Sequence, residues 1–372
     1  MASKPPFRAD HVGSLLRPPE LHEARLKAQG GEITPLELRK VEDAAICAAV
    51  VLQESNGLHA VTDGEFRRGH YLVDFLTGFE GIVPTNTSYA LAFKGEDGAS
   101  GETRSMLTVN AKVKRTQPVM LDSFRFLKAI AGRTPKLCLP SPTWIHMRGG
   151  RQTVSESVYP DIEEFWNDII GAFHEEMRDL AAAGCTYLQL DEISFAFLCD
   201  ATIRERIRAD GLDPDVVARD YVRVVDAIAA GASPSMTVTV HTCRGNFQSM
   251  WMAEGGYDRV ASIVFDQPDV DGYFLEYDSD RAGGFEPLRH IPKDKKVVLG
   301  LVSSKKPELE SKDALKRRID EAAKFFALER LCLSPQCGFA STHHGNRVSE
   351  EVERRKLALI VEVAHDIWGS AA

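Results

Sequence analysis

The chain of 372 residues has no apolar run near the roughly 18–20 residues that a membrane-spanning helix needs. Its opening residues, MASKPPFRADHVGS, lack the apolar core of a signal peptide. Neither membrane insertion nor export is expected. Paired CxxC spacings are missing, and the seven cysteines are odd in number and widely scattered. That excludes a disulfide framework and a zinc finger, and it fits free thiols in a reducing cytoplasm. No P-loop and no GxGxxG follows a strand-like run, so nucleotide binding has no motif behind it. Excess positive charge is absent as well: 45 Lys and Arg against 54 Asp and Glu leave a net charge of −9. Such a chain has no overall attraction to nucleic acid or to an anionic membrane. Internal repeats, heptads and low-complexity segments do not occur, and nothing in the pattern fixes an oligomeric state.

What the chain does have is an alternation. Eight short apolar runs, at 7–14, 58–62, 136–140, 187–191, 236–241, 272–277, 296–302 and 331–334, carry few alternating polar residues. Runs of that kind are strands buried on both faces. Segments with helical spacing fall between and after them, at 19–29, 35–56, 161–183, 214–230, 311–327 and 349–368. Gly184 and Gly231 provide stops for two of these. The pattern predicts an α/β protein, a single (β/α)8 TIM barrel spanning 1–372, with a doubly wound sheet as the other arrangement it permits. The stretch 81–133 interrupts the rhythm. Within it, 103–115 (TRSMLTVNAKVKR) alternates polar and apolar residues, and we expect an inserted β-hairpin after strand two that serves as a lid or rim.

Barrel enzymes carry their chemistry at the C-terminal ends of the strands. Those ends here hold Ser14, Asp63 and Glu65, Asp191 and Glu192, His241 and Cys243, Glu276 and Asp278, and Cys337. His241 and Cys243 stand at i and i+2 on an extended segment, so both side chains point the same way. A thiolate beside an imidazole favours zinc, and Glu276 and Cys337 would complete a set of two thiolates, one imidazole and one carboxylate. A zinc ion with two thiolate ligands suits the activation of an incoming thiol for alkyl transfer; hydrolysis by activated water is the competing use. Local alternatives exist for the carboxylates: Glu65 could pair with Arg67 or Arg68, and Asp191 and Glu192 could cap a helix. Cys138, Cys185, Cys199, Phe195 and Phe197 read as packing residues, and His343 and His344 as a polar rim.

The segments HVGSLLRP, VTDGEFRRGHYLVDF, LPSPT, LQLDEISF, HTCRGNF, YFLEYDS, VVLGLVSSKKPELES and LCLSPQCGF span about residues 11 to 340. Through them the chain resembles the catalytic C-terminal half of cobalamin-independent methionine synthase, in a stand-alone single-barrel form. The resemblance implies zinc held by His241, Cys243, Glu276 and Cys337. It implies that Glu65 and Asp191 hold the amino group of an amino-acid thiol such as homocysteine, with Ser14 contacting its carboxylate, and that a methyl group passes to the thiol to give methionine. The partners it implies are therefore a small-molecule thiol and a methyl donor.

The donor side departs from the family. The large synthase's N-terminal half has no counterpart here. Arg148 stands where the family has a folate-stacking Trp, with Trp144 close by and a second arginine, Arg151, in the same Gly-rich loop. Ser303-Ser304-Lys305 replaces the family's proton-relay Asp and His, which makes Lys305 the candidate to protonate the leaving group. The donor stays open among folate, a sulfonium compound, a methylated corrinoid protein and an O-methyl compound. Two other functions fit the same residues: an epoxyalkane:coenzyme M transferase-like alkylation of a different thiol, and a zinc-binding module without catalysis.

Overall fold

The computed structural model describes residues 4–95 and 98–372. Residues 96 and 97 of the expected insertion lie outside the described residues. The strands are β1 (Ala60–Val61), β2 (Glu80–Gly95), β3 (Gly98–Lys114), β4 (Thr134–Pro135), β5 (Leu137–Pro140), β6 (Tyr187–Asp191), β7 (Thr237–Thr242), β8 (Gly272–Glu276), β9 (Lys296–Val302) and β10 (Leu331–Pro335). A parallel sheet runs in the order β10-β9-β8-β7-β6-β5, and β1 pairs in parallel with β4, which leads directly into β5. These strands are the staves of a (β/α)8 barrel. Every residue of β5, β6, β8 and β10 is buried, as the near-continuous apolar runs required.

The first expected strand, 7–14, is not a ladder strand. It touches β10 through a single bridge, Ala9 with Leu333, and hydrogen bonds from Asp10 N to Leu333 O and from Leu333 N to Arg8 O. Side chains supply much of its backbone bonding. The Asp10 carboxylate accepts from the N–H groups of Phe7 and His11. The carbonyls of His11, Val12 and Gly13 accept from Lys136 Nζ, Gln189 Nε2 and Thr62 Oγ1. Buried backbone groups must be paired, and here side chains from the neighbouring staves close the barrel in place of a ladder. The connection from β8 to β9, where no helical segment is expected, forms no α-helix among the described residues. It has only short 3-10 turns (Asp280–Ala282 and Glu286–His290), because Gly283, Gly284, Pro287 and Pro292 break any longer helix.

Elsewhere the helices follow their signals. Ile162–Ala182 starts where the Asp161 side chain accepts from Glu163 N, and it buries Phe165, Trp166, Ile169, Phe173, Met177 and Leu180 along one stripe. No helix among the described residues is long and apolar enough to cross a membrane. Within the expected 81–133 insertion, the hairpin reaches beyond the 103–115 segment. β2 and β3 pair antiparallel as a hairpin, followed by the helix Leu121–Ile130. The hairpin is stitched to the barrel's loops by reciprocal backbone bonds between Lys94 and Trp251 and by Ser155 N to Val109 O. Phe93, Phe247 and Met250 form a small apolar cluster at that junction.

Inside the barrel, Lys136 is fully buried. Its ammonium lies 3.2 Å from Asp10 Oδ1 and over the Phe274 ring at 3.9 Å, while Tyr187 donates to Asp10 Oδ2. Removing one member of a buried pair strands the other charge. Lys136→Met is therefore expected to lose about 3–5 kcal/mol in urea unfolding. A loss below about 1 kcal/mol would show that the pair does not hold the closure together.

Candidate active site

The strand ends converge as barrel geometry requires. β7 runs into His241, Thr242 and Cys243, and both His241 and Cys243 are buried. Cys337, two residues past β10, reaches the same place: its Sγ is 3.7 Å from that of Cys243. One ligand atom from each of His241, Cys243 and Cys337 falls within a 4.8 Å circle. Neither ring nitrogen of His241 meets a hydrogen-bond partner, although the residue is only 2% exposed. Within the sulfur pair, the Cys243 hydrogen bond, His241 and Lys305 hold the Cys337 thiol well below its ordinary range despite burial. Cys243 is pushed up by that same hydrogen bond and by burial. The imidazole of His241 is held above its usual value; burial opposes this, but Cys337 and Asp191 outweigh it.

Glu276 ends β8 close by but is not in that three-residue group. Its Oε2 accepts the Arg244 N–H at 2.7 Å, and Arg281 binds its Oε1 at 3.1 Å. Arg244 is itself fully buried, fixed on Gly255 O and over the Tyr257 ring. These bonds occupy the carboxylate that the ligand set assigned to metal.

A second group faces the first. Ligand atoms of Glu65, Asp191 and Cys138 also lie within 4.8 Å of one another. Cys138 is buried and its thiol donates to Val12 O, while Cys185 and Cys199 sit in the main core. Glu65 adopts φ +61°, a left-handed backbone that a non-glycine residue rarely takes, and Asp63 Oδ1 accepts its N–H. Burial, with Asp191 and Asp63 nearby and Arg68 opposing, raises its carboxyl to about 7. Burial raises Asp191 also, and Gln189 donates to its Oδ1 at 2.7 Å. The ion-pair alternative for Glu65 holds for Arg68, at 3.7 Å; Arg67 pairs with Asp43 instead. Neither carboxylate is the N-cap of the short helix Ser194–Phe197, which is Ile193; Glu192 accepts Ser194 N, while Asp191 faces the cleft.

His241, Cys243 and Cys337 line one cleft of about 50 Å³ with Glu65 and Asp191, together with Ser14, Tyr71, Asn246 and Ser341. A Cβ at Gly338 would fall 1.9 Å from Ser14 Oγ, so glycine is what lets the Cys337 loop lie against Ser14. Tyr71, Ile193, Gly245 and Asn246 also line a larger cavity of about 480 Å³. Its walls include Trp144, Arg148, Phe247 and Met252, with Phe93 and Leu107 from the hairpin and His70, His343 and His344 at the rim. The Arg148 guanidinium lies 3.8 Å from the centre of the Trp144 ring. The rings of His343 and His344 lie 3.9 Å apart, tilted by 33°, and join no metal-type group among the described residues. Lys305 lines neither space. It lines a third cavity instead, beside Asp278, Ser279 and Arg281.

The model of the family described as "Cobalamin-independent synthase, Catalytic domain" matches residues 7–366. The chain belongs to this family. By that membership it is a catalytic domain of the methyltransferase class. YxjH of Bacillus subtilis, itself uncharacterised, is 43% identical over 98% of this chain and 96% of its own length. A 5-methyltetrahydropteroyltriglutamate–homocysteine methyltransferase of Mycolicibacterium paratuberculosis is 22% identical over 98% of this chain, which spans 43% of that relative. The structure of a candidate vitamin-B12 independent methionine synthase from Listeria monocytogenes matches with 34% identity and a TM-score of 0.77, over 99% of this chain and 100% of that one. A B12-independent methionine synthase of Shewanella shares the fold at 20% identity, with a TM-score of 0.70 over 98% of each chain.

Sequence reasoning missed two residues that order this site. Arg17 is buried and donates to the carbonyls of Glu65, Arg68, Ala340 and Thr342, tying three loops together. Asn246 donates to Gly338 O and Ser341 Oγ. Both lie inside motifs already noted (HVGSLLRP and HTCRGNF), which was the only signal available.

Because the Glu65 carboxyl is raised in the folded state, folding favours its protonated form. The resulting penalty is absent below about 4.5, grows as pH rises, and is complete above about 7. In Glu65→Gln the loss of stability between those pH values is expected to shrink by about 1–3 kcal/mol, as read from urea unfolding across pH. An unchanged slope would show that Glu65 ionises as freely in the fold as in the unfolded chain.

Proposed function

We propose that the protein transfers a methyl group to the sulfur of an amino-acid thiol, homocysteine being the acceptor that fits best. One observation carries this reading: a sulfur–imidazole group and a carboxylate pair line the same small cleft. The first group suits a metal. A tetrahedral zinc with Zn–S bonds of about 2.3 Å sets its sulfurs about 3.8 Å apart, close to the 3.7 Å between Cys243 and Cys337. A histidine buried with both nitrogens unpartnered is further support. His241, Cys243 and Cys337 would hold the ion; Glu276 would join them by exchanging its bond to Arg281 or to Arg244 N–H. Zinc bound there would supply a Lewis acid that lowers the pKa of an incoming thiol, so that a thiolate is present near neutral pH.

The chain's own residues do the rest. Glu65 and Asp191 accept hydrogen bonds from the acceptor's ammonium, whose charge removes the repulsion between the two buried carboxylates. Ser14 meets the acceptor's carboxylate. The acceptor's sulfur is thereby aimed at the adjoining cavity, where the donor's methyl carbon is presented against Trp144 and Arg148. Sulfur–carbon bond formation breaks the bond from that carbon to the donor, and the leaving atom takes a proton. His70, His343 and His344 line that cavity, and imidazole is the side chain suited to proton return near neutrality. Lys305 acts from the other side by helping to keep Cys337 anionic. In this reading the chain is one catalytic domain, and part of its 81–133 insertion walls the donor cavity. A thiol bearing a sulfonate and no ammonium, as coenzyme M does, meets the wrong charge at Glu65 and Asp191.

Zinc content and homocysteine binding together test the proposal. The purified chain is expected to hold about one zinc per molecule, and Cys337→Ser to lose most of it along with thiol-dependent activity. Full zinc and full activity in that variant would overturn the ligand assignment. Glu65→Gln is expected to keep its zinc and bind homocysteine at least about tenfold more weakly, a loss of about 1.4 kcal/mol or more by calorimetry. Equal affinity for homocysteine and for an amine-free thiol would remove the ammonium role.

A further inference from the structure

The acceptor cleft and the larger cavity beside it share four lining residues: Tyr71, Ile193, Gly245 and Asn246. These four frame the opening between the two spaces, and each is held in place. Gly245 has φ +94°, and a Cβ there would lie 3.2 Å from both Cγ and the backbone nitrogen of Met252. Glycine is what lets the backbone itself form that side of the frame. Asn246 donates from Nδ2 to Gly338 O at 2.7 Å and to Ser341 Oγ at 3.1 Å, which pins it across to the Cys337 loop. A carbonyl only accepts, so the amide nitrogen is the atom turned to Gly338. The other amide atom, Oδ1, is buried and meets no donor. Ile193 stands two residues after Asp191, directly before the helix Ser194–Phe197, and packs against the main core. The Tyr71 ring stacks on His70 at 5.1 Å.

A fixed opening constrains the group that crosses it. When a sulfur displaces a leaving atom from carbon, the new bond forms on one side as the old one breaks on the other, and the departing electron pair stays with the leaving atom. Sulfur, carbon and leaving atom then lie in line. The carbon's other three substituents spread in the plane across that line. With the sulfur in the cleft and the leaving atom in the cavity, this plane cuts the opening, and the substituents point at its frame. Three hydrogens make the smallest such set. They are also weak donors, which an amide oxygen such as Asn246 Oδ1 can accept. An ethyl group drives one more carbon into the frame.

We propose, resting on the acceptor reading above, that this frame makes the protein specific for methyl among alkyl groups, with Ile193 setting the limit. Ile193 is the branched apolar member, and its side chain can be shortened without removing a hydrogen bond. A close-fitting apolar site discriminates one methylene by about 10–200-fold.

Competition between methyl iodide and ethyl iodide tests it, since these probes present an alkyl group with no further donor structure. The full-length chain, supplied with zinc, is held in excess over homocysteine, both iodides are added together, and methionine and its S-ethyl counterpart are counted by mass spectrometry. The same mixture without protein gives the solution ratio. The methyl-to-ethyl ratio on the protein is expected to exceed the solution ratio at least about tenfold. Ile193→Ala should lower that excess several-fold, and Ile193→Val should give an intermediate value. Calorimetry with homocysteine establishes for each chain that the acceptor is bound at the concentrations used. A solution-like ratio in the unaltered chain overturns the proposal, as does an unchanged excess in an Ile193→Ala chain that binds homocysteine. Should Ile193→Ala not bind it, Ile193→Val decides, and an unchanged excess there overturns the proposal. Failure of the unaltered chain to bind homocysteine would remove the acceptor reading and this specificity together, whereas binding without selectivity removes the specificity alone.

Discussion

The mouth of this barrel is governed by the cost of burying negative charge. Glu65, Asp191, Glu276 and the Cys243–Cys337 sulfur pair all arrive there because parallel strands deliver their C-terminal ends to one face. In a low-dielectric setting each must be matched by a proton, a donor or a cation. The protein answers part of that demand itself. Arg281 and the Arg244 N–H hold Glu276, Arg68 stands by Glu65, and Lys305 and His241 favour the Cys337 thiolate. What remains, two facing carboxylates and a sulfur–imidazole group, is a surface made for cations. In the proposed function an ammonium answers the first and a divalent ion the second.

That demand also explains the scaffold around it. The first chain segment gives up a regular ladder so that its carbonyls can take donors from Lys136, Gln189 and Thr62. Gln189 then serves twice, since its amide also donates to Asp191. Arg17 likewise spans loops that are far apart in the chain and fixes the backbone of Glu65. Positioning at the mouth is thus built into barrel closure, and substitutions deep in the barrel are expected to register at the cleft.

The acceptor and donor sides are unequal. The cleft that would take the thiol is small, polar and made of strand ends. The space beside it is about 480 Å³, largely apolar, and partly walled by an inserted hairpin. Insertions can change without disturbing barrel packing, so the donor side is where members of one family are free to diverge. The stacking of Arg148 on Trp144 belongs to that variable side.

The strand-end residues and the alternation of short apolar runs with helical spacing were readable directly, because parallel barrel strands are buried on both faces and end at one mouth. The i, i+2 spacing of His241 and Cys243 was readable for the same local reason, and the motif segments carried the family. The sequence could not show that Glu276 is held by Arg281 and the Arg244 backbone, that Cys138 joins the carboxylates, or that Lys305 turns toward a separate cavity. Nor could it show that 7–14 lacks a ladder. Those outcomes depend on which donor reaches which acceptor across hundreds of residues. Local spacing constrains the direction of a side chain, whereas its partner is chosen only when the whole barrel has closed.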